Sequence, residues 1–116
     1  MRAVELTRQW PAELPDCWAI AEYIENTSAS YVDTEMIAEL YRGARAVLQE
    51  LPIEKLKFGN AEGNIKVAKK QAKYDKMNVS SQPPIVVQGN KVVDGNHRLR
   101  SAIKAKHQTI KAYVIQ

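Results

Sequence analysis

Asp94-Gly95-Asn96-His97-Arg98 is the stretch on which the reading of this chain turns, inside a longer run from Pro83 to Ile115. Pro83-Pro84 leads into a β-branched run, Ile85-Val86-Val87. Gln88-Gly89-Asn90 then makes a turn, and Lys91-Val92-Val93 returns as a second short run. Gly-Asn suits a hairpin because both residues tolerate positive φ. After Val93 the period changes. Leu99, Ala102, Ile103 and Lys106 recur at helical spacing, with the lysine stem able to lie along an apolar surface. The order is strand, hairpin, strand, tight glycine junction, helix, with Asp94 to Arg98 on the junction.

That junction has a chemistry of its own. The first amides of a helix lack intrahelical partners, and the helix dipole places partial positive charge there. Gly95 lets a ligand approach the backbone, Gly95 and Asn96 offer N–H groups, and His97 and Arg98 bring donors to the same first turn. A phosphate is the expected guest, neutralised by Arg98, with His97 donating to it or acting as acid–base. The plainer alternative is an Asp-Gly turn followed by two solvated side chains.

The rest of the chain reads outward from there. Pro15 and Asp16 suit a helix start, and Cys17, Ile20, Ala21 and Ile24 share one face. A second helix is expected from Asp33 or Thr34, with Ile37, Leu40, Tyr41, Ala44, Leu48 and Leu51 at three- and four-residue steps. Gly43 inside it reads as a close helix contact. Pro52 ends that run. Ile53, Leu56 and Phe58 then read as a short strand. Asn64 to Met77 reads as a helix with Lys66, Lys69, Lys70, Lys73 and Lys76 largely on one face, either solvated or aligned with a nucleic-acid backbone. Thr109 to Ile115 is a final strand with Ile110, Ala112 and Val114 on one side. The fold class expected is α+β: a small mixed β-sheet with flanking helices in residues 51–116, preceded by a helical extension, residues 1–50, packed on that core.

Charge divides the same way. Residues 1–50 carry four arginines against nine acids, a net of −5; residues 51–116 carry thirteen Lys or Arg against four acids, a net of +9. The basic half fits phosphate-bearing partners, nucleotide or nucleic acid, and the acidic half fits a protein partner. Nothing in the sequence has the length of a membrane span or the pattern of a signal peptide, so no membrane partner is expected. The single Cys17 cannot form an internal disulfide, and a reducing, cytoplasmic setting is expected. His97 and His107 have no zinc-ligand spacing.

Four ordered segments carry a family resemblance: Leu51-Pro52-Ile53-Glu54-Lys55-Leu56, Pro83-Pro84-Ile85-Val86-Val87, Asp94-Gly95-Asn96-His97-Arg98-Leu99-Arg100-Ser101-Ala102, and Thr109-Ile110-Lys111-Ala112-Tyr113-Val114. Together they resemble the ParB/sulfiredoxin superfamily over Leu51 to Ile115. The resemblance implies a nucleoside triphosphate, ATP or CTP, held at Gly95, Asn96, His97 and Arg98. It also implies Mg²⁺ and a function as an NTP hydrolase or ParB-like nuclease. Sulfiredoxin chemistry is set aside, because Asn96 stands where that motif has cysteine. A free serine kinase shows a similar Asp-Gly-His-His-Arg run. By that likeness Asp94 would orient metal or nucleophile, with Glu62 as a second acid beside His97. Asp94 has an equal reading as a helix cap. Arg100 joins Lys66, Lys69, Lys70 and Lys73 as a candidate for nucleic-acid backbone. Partition proteins continue into a helix-turn-helix and a dimerisation domain, whereas this sequence closes at Gln116. Site-specific DNA clamping is therefore not expected, and ParB-like nucleases and NTPases of plasmids and phages are the nearer comparison. A non-catalytic nucleotide sensor that grips a partner through residues 1–50 is the competing class.

Overall fold

In the computed structural model, residues 10–28, 32–59 and 82–116 are described. The elements follow in the order β1 (Glu13–Leu14), α1 (Cys17–Thr27), α2 (Thr34–Leu40), β2 (Ala46–Pro52), a 3₁₀ turn (Ile53–Lys55), β3 (Ile85–Gln88), β4 (Lys91–Asp94), α3 (Asn96–Lys104) and β5 (Thr109–Ile115). The five strands form one mixed sheet in the order β1-β2-β5-β3-β4. β5 pairs antiparallel with β2 over seven residues and parallel with β3, while β3 and β4 form the antiparallel hairpin closed by Gly89-Asn90. The α+β class with a mixed sheet and flanking helices is what the sequence led one to expect.

β5 and β3 sit in the middle of the sheet, so successive side chains enter opposite layers and both are apolar. On one side Val86, Tyr113, Ile115 and Ala46 pack under Ile20, Tyr23 and Ile24 of α1, with Leu14 and Tyr41. On the other, Ile85, Val87, Ile110 and Ala112 pack with Val92 under Leu99 and Ala102 of α3. The two layers differ in character. The α3 layer is aliphatic, whereas the α1 layer is aromatic: the Tyr23 and Tyr113 rings meet edge-on at 4.8 Å, and Trp10 meets Tyr23 at 6.2 Å. Buried phenols need acceptors. Tyr113 Oη donates to Pro11 O at 2.7 Å and Tyr23 Oη to Pro84 O. Burial raises both phenols, Tyr113 to about 12, so both stay protonated donors.

Several local expectations are corrected. The second helix does not continue to Leu51. It stops at Leu40, and Gly43 turns the chain at φ 82°, where a side chain would meet nothing within 4 Å. Gly43 is thus a helix stop and not a helix contact. Residues 46–52 become β2, because β5 needs an antiparallel neighbour and a short apolar run is ambiguous between the two periods. Leu40, expected on the inner face, is 72% exposed. Ile53, Leu56 and Phe58 make no strand: a 3₁₀ turn is closed by Leu56 N–H to Ile53 O at 3.0 Å, followed by a single parallel bridge of Lys57 to Lys91. α1 begins at Cys17 and not at Pro15, capped by Asp16, whose carboxylate accepts from Ala19 N–H at 2.8 Å. On α3, Ile103 is exposed and Lys106 lies past the helix end at φ 62°. The boundary expected between residues 50 and 51 falls inside β2, and residues 10–50 supply one strand and most of a second to the common sheet. The lysine-rich stretch of residues 64–77 lies outside the described residues.

Candidate functional site

α3 begins where the hairpin ends. Asp94 is the last residue of β4, Gly95 caps the helix in the left-handed region at φ 113°, and Asn96 is its first residue. Glycine is required there on two counts. An L-residue is strained at that φ. An added Cβ would also lie 2.6 Å from Ile85 Cγ2 and 3.1 Å from an Arg98 terminal nitrogen. Being glycine, the cap residue has no side chain to offer the first-turn amides.

Arg98 points inward. It is 2% exposed; its Nη1 donates to Pro83 O at 3.0 Å and Pro84 O at 2.8 Å, and its Nη2 to Asp94 Oδ2 at 2.8 Å. The expectation that Arg98 meets a phosphate directly is therefore revised. Its guanidinium ties the two proline carbonyls at the start of β3 to the end of β4. Asp94 is revised with it. Its carboxylate Oδ2 accepts from Arg98 and, at 3.4 Å, from Thr27 Oγ1 of α1, so it does not cap α3. Burial pushes the Asp94 carboxyl above its usual range, opposed by the Arg98 guanidinium beside it. Pro84 O accepts from both Arg98 and Tyr23, so one buried network links α1, the start of β3, the end of β4 and α3. The sequence carried a signal for this pair, since Asp94 and Arg98 stand at i, i+4. Tyr23 and Thr27 gave none, because their partners lie 61 and 67 residues away.

The other motif residues stay at the helix mouth. His97 is half-buried in the first turn of α3. Asn96 reaches sideways: its Oδ1 accepts from Gly59 N–H at 2.9 Å, drawing the 57–59 segment along the outside of β4 to the mouth. Arg100, one turn on, lies over the Phe58 ring at 5.4 Å from guanidinium carbon to ring centre. Phe58 was missed as a neighbour of the site, since its sequence position reads only as apolar. Behind Arg98 lies a cavity of about 130 Å³, lined among others by Pro83, Pro84, His107, Thr109 and Lys111. Glu62, Lys66, Lys69, Lys70 and Lys73 fall outside the described residues, so their relation to the mouth is not described. Among the described residues, no three His, Cys, Asp or Glu side chains are grouped to hold a metal ion, and both hydrogen bonds to Asp94 fall on Oδ2. No helix among them is long and apolar enough to cross a membrane.

No family model matches the sequence, and no curated protein matches it. Among solved structures, the chain is similar to the C-terminally truncated chromosome-partitioning protein ParB from Caulobacter crescentus, complexed with CTP-γ-S. The identity is 21% and the TM-score 0.47, over 58% of this chain and 43% of that one. It is also similar to a Pnob8-like ParB-N domain, at 20% identity and TM-score 0.48, over 63% of this chain and 31% of that one. The matched region spans less than half of either protein.

Proposed function

We propose that this protein binds the phosphates of a nucleoside triphosphate at the mouth of α3, through the backbone of Gly95 to His97 and the His97 side chain, as a sensor and not an enzyme. The observation that carries the binding reading is the cap itself. α3 opens on a glycine whose φ and surroundings exclude any side chain, with a histidine two residues further on. The helix dipole and the first-turn amides favour an anion at such a start, and His97 lies in the same first turn. Arg98 serves from beneath as a positioning residue, fixing the glycine junction to β3 without itself reaching the ligand. The motif resemblance favours ATP or CTP as the guest.

Binding without turnover is supported by the state of Asp94. Hydrolysis or cleavage needs a carboxylate to place metal or water, and the one at this junction is engaged by Arg98 and Thr27. The NTP hydrolase, nuclease and kinase forms of the resemblance all need a carboxylate given over to metal or water, and among the described residues of the junction Asp94 is tied to Arg98. Titration calorimetry of the purified chain with ATP, CTP and inorganic phosphate, with and without Mg²⁺, tests the reading; released phosphate and plasmid nicking are followed in parallel. A triphosphate should bind, His97→Ala should weaken it about tenfold, the loss of roughly one charge-assisted hydrogen bond, and no product should form. Absence of binding at millimolar nucleotide would sink the site. Turnover abolished by Asp94→Asn would keep the site and make the protein an enzyme.

A further inference from the structure

The outer face of α1 and α2 carries a second feature, separate from the α3 mouth. Trp18, Met36 and Leu40 are 52%, 64% and 72% exposed, three of the six large apolar side chains left open among the described residues. They are neighbours. Trp18 and Met36 line one shallow groove of about 810 Å³ between the two helices, and Leu40 stands one helical turn beyond Met36. The inward face of α1 is already satisfied by Ile20, Ala21, Tyr23 and Ile24, so Trp18 is surplus to the core.

Its surroundings are acidic. Asp33, Glu35 and Glu39 line the groove against a single arginine, Arg42, which pairs with Glu39. Glu22 and Glu25 continue the exposed side of α1 at one and two turns past Trp18. We infer that this groove receives an amphipathic helix of a partner protein, with apolar anchors at i, i+3/i+4 and i+7 and lysine or arginine on its flanks. An exposed tryptophan beside a methionine is the kind of anchor that dominates such grooves, the tryptophan by area and the thioether by adapting its shape. The acidic rim sets the sign of the partner. A basic helix is drawn to this face and repelled by the rest of a chain whose net charge is +4.

A labelled synthetic Leu/Lys amphipathic helix and its Leu/Glu counterpart are titrated with the intact chain, following peptide anisotropy and tryptophan emission. The Lys peptide should bind and weaken with salt, and the Glu peptide should bind at least about tenfold more weakly. Trp18→Ala, or Met36→Ala with Leu40→Ala, should each lower affinity about tenfold while leaving the melting temperature in place. Glu35→Lys with Glu39→Lys should flatten the salt dependence. Equal affinity for the two peptides, or binding untouched by both apolar variants, would overturn the inference. So would a dimer in sedimentation that Trp18→Ala dissociates, since a second copy would then be the occupant. None of these outcomes depends on nucleotide.

Discussion

Each of the three helices among the described residues is approached by an aspartate, and two of them use it alike. Asp16 caps α1 by accepting from Ala19 N–H at 2.8 Å, and Asp33 caps α2 by accepting from Met36 N–H at 3.2 Å. At α3 the aspartate stands one residue earlier, Gly95 takes the cap position, and Asp94 turns away to Arg98. A shift of one residue changes what a helix start is for. A carboxylate at the cap serves the helix; one place before it, it can be spent on the interior, and the mouth is left to backbone and to His97. The same residue type therefore caps two helices and at the third is tied to a buried arginine.

The comparison can be broken most severely through Arg98. Arg98→Met removes the cation from a buried pair and strips donors from Pro83 O, Pro84 O and Asp94. The expected loss is about 3–5 kcal/mol of stability in urea unfolding. A loss below about 1 kcal/mol would mean the guanidinium is not the internal tie that its three bonds imply.

Gly95→Ala comes next. The left-handed φ costs about 1–2 kcal/mol for a residue with a Cβ, and the overlap with Ile85 adds about 1–3 kcal/mol. Nucleotide affinity should fall with it. A stable Gly95→Ala protein with unchanged affinity would show that the mouth does not need its glycine.

Asp16→Ala and Asp33→Ala sharpen the contrast from the other side. Each removes an ordinary cap and should cost about 1 kcal/mol, with no change in nucleotide binding by calorimetry.

Asp94→Asn is the smallest and most diagnostic change, read through pH. The folded-state pKa of Asp94 lies above the usual carboxyl value, so the folded chain holds that proton more tightly than the unfolded chain does. Its contribution is then fully present below the unfolded pKa and is lost as pH rises through the raised folded pKa. Denaturant titrations from acid to neutral pH should show wild type losing ground relative to Asp94→Asn as pH rises. The opposite slope, expected of an aspartate whose ion pair outweighs its burial, would show that Arg98 holds the carboxylate charged at all accessible pH.

Legibility in the sequence followed the range of the interaction. The hairpin, the glycine junction and α3 could be read because each is set by neighbours within a few residues. β-branched runs, Gly-Asn, Asp-Gly and a 3.6 period are local signals. The end of α2 was misread at Gly43, because apolar steps through Ala44, Leu48 and Leu51 fit a helix as well as the two faces of a strand. Only pairing with β5 separates the two.

The site divided on the same line. That Gly95 opens a helix mouth beside His97 was written in the sequence, since the chemistry of a glycine and the spacing of the next turn need no distant partner. That Arg98 faces inward was not. Its direction depends on two carbonyls just before β3, those of Pro83 and Pro84, fifteen and fourteen residues earlier, and on an aspartate held also by Thr27 of α1. A buried cation goes where the acceptors are. Residues far apart in the chain supply those acceptors, so only the assembled sheet could decide which way the arginine turned.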